Sequence, residues 1–148
     1  MARVLIVEDE HLLRRILTLN LVRHGYSVAE ADSVASAREA LAAWDPAFDV
    51  MLLDIELPDG SGWDVLRVVR QASAITEMAT APPPGAPPRV VVVTALRPAQ
   101  ARLDEFRPDA VLVKPFPVQA LLRLIERVLA VLPSAVDEDA AALEAAEG

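Results

Sequence analysis

Residues 3–9, RVLIVED, run from apolar strand-forming residues straight into two acids, and the design recurs as VMLLD at 50–54, VVVVT at 90–94 and AVLVK at 110–114. Helical stretches separate the runs. Five alternations of strand and helix read as an α/β fold with a parallel sheet. In an open sheet of that kind the carboxyl ends of the strands share one edge, where ligands bind. Glu8, Asp9, Asp54, Thr94 and Lys114 are therefore expected to converge. Lys114 is the single lysine among 14 basic residues. An ammonium is a compact point charge and a guanidinium a wide planar fork, so this position selects the compact form.

Carboxylates at neighbouring strand ends repel one another unless a cation relieves them. An all-oxygen set of Glu8, Asp9 and Asp54 points to Mg2+, which takes few protein carboxylates, keeps several waters and pairs with phosphate. With the hydroxyl of Thr94 and the ammonium of Lys114, the set fits phosphoryl transfer with Asp54 as nucleophile. The metal and Lys114 neutralise charge on the phosphoryl oxygens, and Thr94 donates a hydrogen bond to one of them. Pro115, directly after Lys114, is a candidate for a cis peptide bond that holds the ammonium inward.

The 148 residues fit one domain with a sizeable core, and 53% of them are hydrophobic, which argues against disorder. There is no cysteine, so disulfides and thiolate chemistry are excluded. The N-terminal apolar run is too short for a signal peptide, and the longest apolar segment, 118–132, is broken by Arg123, Glu126 and Arg127. A cytoplasmic protein without membrane contact is expected. Net charge is −8, but five acids and no bases follow Pro133, leaving −3 over residues 1–132. A body so nearly balanced lacks the basic face that direct nucleic-acid binding needs. The 16 residues after Leu132 are too few for a DNA-binding output module.

The expected strands are 3–7, 26–31, 50–53, 90–93 and 110–113. The first helix, 10–24, sets Leu13, Ile16, Leu17 and Leu21 on its core face and stops at Gly25. Asp32 or Ser33 caps a second helix that ends before Pro46. The turn LPDGSG leads into a third through Trp63, Leu66, Val69 and Arg70. A short helix lies near 98–106 and a last one spans 118–132. Five prolines in 79–89 favour an extended surface connector. The acidic, alanine-rich tail, 133–148, follows a domain of residues 1–132.

These segments together resemble the receiver domains of two-component response regulators. The acids of LIVEDE, the aspartate of LLDIELPDGSG, the VVVVTA run and LVKPF stand in the family's order, and the likeness covers about residues 2–132. It implies a flavodoxin-like (βα)5 three-layer sandwich whose central parallel sheet has the order 2-1-3-4-5. It also implies phosphorylation of Asp54 by a sensor histidine kinase or a histidine phosphotransfer protein. Asp9, Asp54 and the main-chain carbonyl of Glu56 would bind Mg2+, and Glu8 would act mostly through a water. Such a chain is a signalling phosphoacceptor, not an enzyme with turnover, and passes its signal to a downstream protein target.

Three features depart from the family pattern. Val111 stands where a Tyr or Phe usually reports the state of the Thr, so the aromatic switch is missing. The segment between Thr94 and Lys114 is short and carries Pro98 and Pro108, which predicts a stunted fourth helix. The proline-rich connector is longer than the family needs. Leu12 and Leu19, off the core face of the first helix beside Ile16, are where the resemblance would dock a phosphohistidine donor. Leu124 and Val131 widen the apolar arc of the last helix past one stripe. A partner, a second copy of the chain, the C-terminal tail or the first helix would cover that excess. Two other readings stand beside the receiver: a receiver-like scaffold acting without phosphorylation, and a phosphatase of the haloacid dehalogenase type, whose nucleophile would follow the first strand in a DxD motif where VEDE stands here.

Overall fold

The computed structural model describes residues 2–43, 48–78 and 87–130. Trp44, most of the proline-rich connector and the tail, Val131 included, lie outside the described residues. The elements run β1 (Arg3–Val7), α1 (His11–Arg23), β2 (Ser27–Ala31), α2 (Val34–Ala42), β3 (Val50–Asp54), β4 (Glu56–Leu57), β5 (Gly60–Ser61), α3 (Gly62–Met78), β6 (Arg89–Thr94), α4 (Gln100–Phe106), β7 (Ala110–Val113) and α5 (Val118–Ala130). Five strands form one parallel sheet of order β2-β1-β3-β6-β7, which is 2-1-3-4-5 counted within the sheet. The LPDGSG turn holds a small antiparallel hairpin, β4–β5, that periodicity did not announce.

Strand side chains alternate between the sheet's two faces. Val4 and Ile6 join Val50, Leu52, Val91 and Val93 under α1 and α5, while Leu5 and Val7 join Met51, Leu53, Val90 and Val92 under α2, α3 and α4. The register is held at the strand starts by two aspartates. Asp49 accepts a hydrogen bond from the Arg3 amide at 2.7 Å and donates its own amide to the Arg3 carbonyl at 2.8 Å. Asp109 does the same with Val90, at 2.6 and 2.8 Å.

Ser33 caps α2, its hydroxyl accepting from the Ser36 amide while the Ser36 hydroxyl accepts from the Ser33 amide. Gly25, at φ 91°, turns the chain out of α1. Trp63 packs on the sheet and stacks on Phe106 with ring centroids 5.0 Å apart. As the two prolines predicted, α4 is short, with seven residues.

Two expectations about helix faces need correction. Leu124 is 5% exposed, because α5 is covered by the sheet on one side and by α1 on another; helix one accounts for the wide apolar arc there. Ile16, expected on the core face, is 39% exposed and forms an outward strip of α1 with Leu12, Leu19 and Val22, while Leu17 and Leu21 carry the packing.

Gly62 sits directly against the turn below the sheet edge. Its amide donates to the Ile55 carbonyl at 2.8 Å, and a Cβ there would overlap the Asp54 carbonyl oxygen and lie 2.9 Å from the Ile55 Cα. Both obstacles are main chain and cannot swing aside. Gly62→Ala is expected to cost about 2–3 kcal/mol in urea melts; an unchanged midpoint would show that the turn yields freely.

Candidate functional site

The carboxyl edge of the sheet brings the expected residues together. Glu8 follows β1, Asp54 ends β3, Thr94 ends β6 and Lys114 follows β7. Carboxylate oxygens of Glu8, Asp9 and Asp54 lie within 4.8 Å of one another. The Lys114 ammonium donates to Glu8 Oε1 at 2.7 Å and reaches Asp54 Oδ2 at 3.5 Å. The Lys114–Pro115 peptide bond is cis. Glu8 and Asp54 are buried and Asp9 is exposed, so the cluster opens on the Asp9 side.

Main-chain groups fix the acids. The Glu56 amide donates to Asp54 Oδ1 at 3.1 Å, and the Glu10 amide to Glu8 Oε2 at 3.2 Å. The Thr94 hydroxyl donates to the Leu96 carbonyl at 3.0 Å. Leu96 itself is the most exposed large apolar residue among those described. Val111 is buried in the core under α3 and α4, where a small side chain holds no polar tip.

The electrostatics follow from three carboxylates facing one ammonium. Burial, and then the neighbouring Glu8 carboxylate, push Asp54 up to about 7 against the pull of Lys114. Glu8 moves the other way: burial opposes its charge, but hydrogen bonds from Asp54 and Lys114 prevail and lower it. Burial also opposes the charge of Lys114, and the bond to Glu8 overcomes it and raises the ammonium above its ordinary value. The site thus holds a close Glu8–Lys114 ion pair, with Asp54, which Lys114 reaches only at 3.5 Å, as a weakly compensated acid beside it. A hard divalent cation fits such a set, since its donors are all oxygen and the charge left on Asp54 is the one the protein's own groups do not neutralise.

Two charged residues that the sequence did not single out make long-range bonds near the site. Arg14 donates from Nη1 to the Glu8 carbonyl and from Nε to Glu30 Oε1, both at 2.9 Å, tying α1 and β2 to the chain at Glu8. Asp59, in the turn after β4, accepts from the Val34 and Ala35 amides at 2.7 and 3.0 Å. Neither carries a local pattern that distinguishes it from a surface charge. His11 and His24 bond to Arg14 and the Asn20 carbonyl and join no metal cluster among the described residues.

No helix among the described residues is long and apolar enough to cross a membrane. Comparison with known proteins gives one answer. The chain is 36% identical over 142 residues to the sensory transduction protein LytT of Enterococcus faecalis, covering 93% of this chain and 52% of that protein. It is 33% identical over 129 residues to the transcriptional regulatory protein CusR of Escherichia coli, covering 86% and 51%. The chain therefore spans about half the length of these relatives. Among solved structures, the non-phosphorylated HemR receiver domain of Leptospira biflexa superposes with a TM-score of 0.69 at 29% identity, covering 89% of this chain and 97% of that one. The fold is shared too with the response regulator TrrA of Thermotoga maritima, solved with Mg2+ and BeF, at a TM-score of 0.69 and 24% identity over 86% of this chain and 99% of that one. The family model for the response regulator receiver domain matches residues 4–126, and the chain belongs to that family of two-component signalling proteins.

Proposed function

We propose that residues 1–132 are a receiver that accepts a phosphoryl group on Asp54 from a phosphohistidine of a sensor histidine kinase or histidine phosphotransfer protein. The observation that carries it is the buried Asp54 carboxylate at the end of a central strand, with the Lys114 ammonium 3.5 Å away. In the transfer, an Asp54 oxygen forms the new bond to phosphorus, the P–N bond of the donor breaks, and the imidazole leaves with the electron pair. The Glu56 amide orients the carboxylate that attacks. Lys114 moves between Glu8 and the incoming phosphoryl oxygens as a neutralising charge, and Thr94 exchanges the Leu96 carbonyl for one of those oxygens. Asp9, Asp54 and the Glu56 carbonyl would hold Mg2+, with Glu8 acting through a water. When bound, the ion offsets charge on the carboxylates and the phosphoryl group.

The protein then acts as a phosphoacceptor, signalling by protein contact from the cytoplasm to a downstream target, and not as a turnover catalyst. Leu12, Ile16 and Leu19 supply an apolar strip beside the site for the donor, and a second copy of the chain is a further candidate partner. One observation favours a scaffold acting without phosphorylation: Val111 is a packed, featureless side chain at the position of the usual ring. Equal affinity for a partner with and without beryllofluoride would support that second reading.

Incubation with acetyl phosphate is expected to add one phosphoryl group by intact mass, only with Mg2+ and not in Asp54→Ala. Uptake by Asp54→Ala equal to wild type would rule out this assignment.

The crowding of acids also predicts a pH dependence. The folded Asp54 titrates near 7, above its ordinary 3.8, so its contribution to stability is complete below about pH 4 and is lost as pH rises through 7. Asp54→Asn mimics the protonated acid and can still donate to Glu8. In EDTA, its stability advantage over wild type should be larger at pH 8 than at pH 5 by on the order of 2 kcal/mol. The gap should narrow when MgCl2 is added. A gap independent of pH in chemical melts would show that Asp54 is not held protonated.

A further inference from the structure

We propose that Asp59 is a positioning residue for the Asp54 site, fixing the β4–β5 hairpin, and with it the main chain of Glu56, by anchoring the hairpin to the N-terminus of α2. This rests on the reading of Asp54 as the phosphoacceptor and names a residue that serves it without touching it. The Asp59 carboxylate is held by two amides of a helix 25 and 24 residues away in sequence, Val34 at 2.7 Å and Ala35 at 3.0 Å. Those bonds keep the carboxyl below its ordinary range. Charge-assisted bonds at a helix N-terminus are favoured by the aligned peptide dipoles as well as by the unpaired donors.

The helix already has a cap of its own, since Ser33 and Ser36 satisfy each other's amides. Asp59 instead takes the two remaining first-turn donors and connects the helix to the turn. The hairpin touches α2 at a second point, where Gly60 leaves so little room that a Cβ would lie 3.3 Å from the Val34 Cγ2. Leu57 is buried in the same apolar cluster as Val34. At its other end the hairpin closes on the site. The Gly62 amide holds the Ile55 carbonyl, and the Glu56 amide holds Asp54 Oδ1. Between α2 and the acceptor carboxylate there is thus a short continuous run of fixed groups: Asp59, the hairpin, Glu56 and Asp54. With Asp59 removed, the hairpin keeps its apolar contact and its bonds to α3 but loses its polar tether to α2, and Glu56 is freer to drift from Asp54.

Ser33→Ala is the control, because it weakens the same helix terminus without touching the hairpin. Two measurements separate positioning from capping. One is amide hydrogen exchange of Glu56 and Gly62 in metal-free full-length protein, scaled to Leu5 in β1; the other is calorimetric titration with MgCl2. Asp59→Ala is expected to speed exchange at Glu56 and Gly62 about tenfold and to weaken Mg2+ binding about tenfold. Asp59→Asn, whose amide oxygen still accepts one N–H, should recover part of both. Ser33→Ala should lower the melting temperature and leave both at wild-type values. If Asp59→Ala and Ser33→Ala behave alike, with lower melting temperatures and unchanged Glu56 exchange, Asp59 only caps α2 and the proposal fails. Absence of Mg2+ binding by the wild type would count against the acceptor reading, while the exchange comparison would still decide the role of Asp59.

Discussion

The Lys114–Glu8 pair joins residues 106 positions apart at 2.7 Å, across the edge of a sheet whose every strand points the same way. A parallel sheet puts all its strand ends on one side, so acids at the ends of β1 and β3 are forced into each other's field. One ammonium from beyond β7 satisfies Glu8 and leaves Asp54 short of charge. Breaking such a pair by deleting one partner costs far more than the pair itself contributes, because a buried charge is left alone. That shortage makes the site a local source of instability. On the proposed reading, the acid left short of charge is the one that a cation and a phosphoryl group would meet.

Much of this was legible in the chain. Strand positions and the grouping of Glu8, Asp9, Asp54 and Lys114 follow from apolar runs that end in polar residues, because a parallel sheet puts all its strand ends on one edge; the sheet order came from the family resemblance, and the short α4 from Pro98 and Pro108. What was not legible depended on contacts between distant elements. Leu124 looked like surplus apolar surface because helical periodicity does not say that α1 lies alongside α5. Ile16 looked like core because a one-helix projection cannot tell which of two adjacent apolar strips faces the sheet. The tethers made by Arg14, Asp49, Asp59 and Asp109 were missed for the same reason: a charged residue bonded to main chain far away reads locally as a solvated one. Thr94 was placed correctly at its strand end, but its hydroxyl bonds to Leu96, a matter of side-chain rotation that spacing does not encode.

The far side of the sheet is held differently from the site edge. Phe106, at the end of the short α4, lies stacked on Trp63 with the Arg67 and Arg102 guanidinium groups over its ring. Arg70 of α3 donates to the Phe106 and Arg107 carbonyls at 3.0 and 2.6 Å, closing the helix end where Arg107 adopts φ 47°. These contacts anchor α4 to α3. Beside them Val111 fills its place in the core as a plain aliphatic side chain. The aromatic weight of this region sits at the α3–α4 contact and not on the last strand.

Using arginine for 13 of 14 positive charges leaves the chain with one side-chain amine, and it stands inside the site. Guanidinium groups stay protonated and inert toward acylating and alkylating reagents near neutral pH. Amine-directed reagents, which would scatter over the lysines of an ordinary protein, have Lys114 as their one side-chain target in this one. A single isotopic methyl label on Lys114 would therefore give one resonance that follows its charge partners. Coupling to a sensor surface through a side-chain amine would here have to break the Lys114–Glu8 pair.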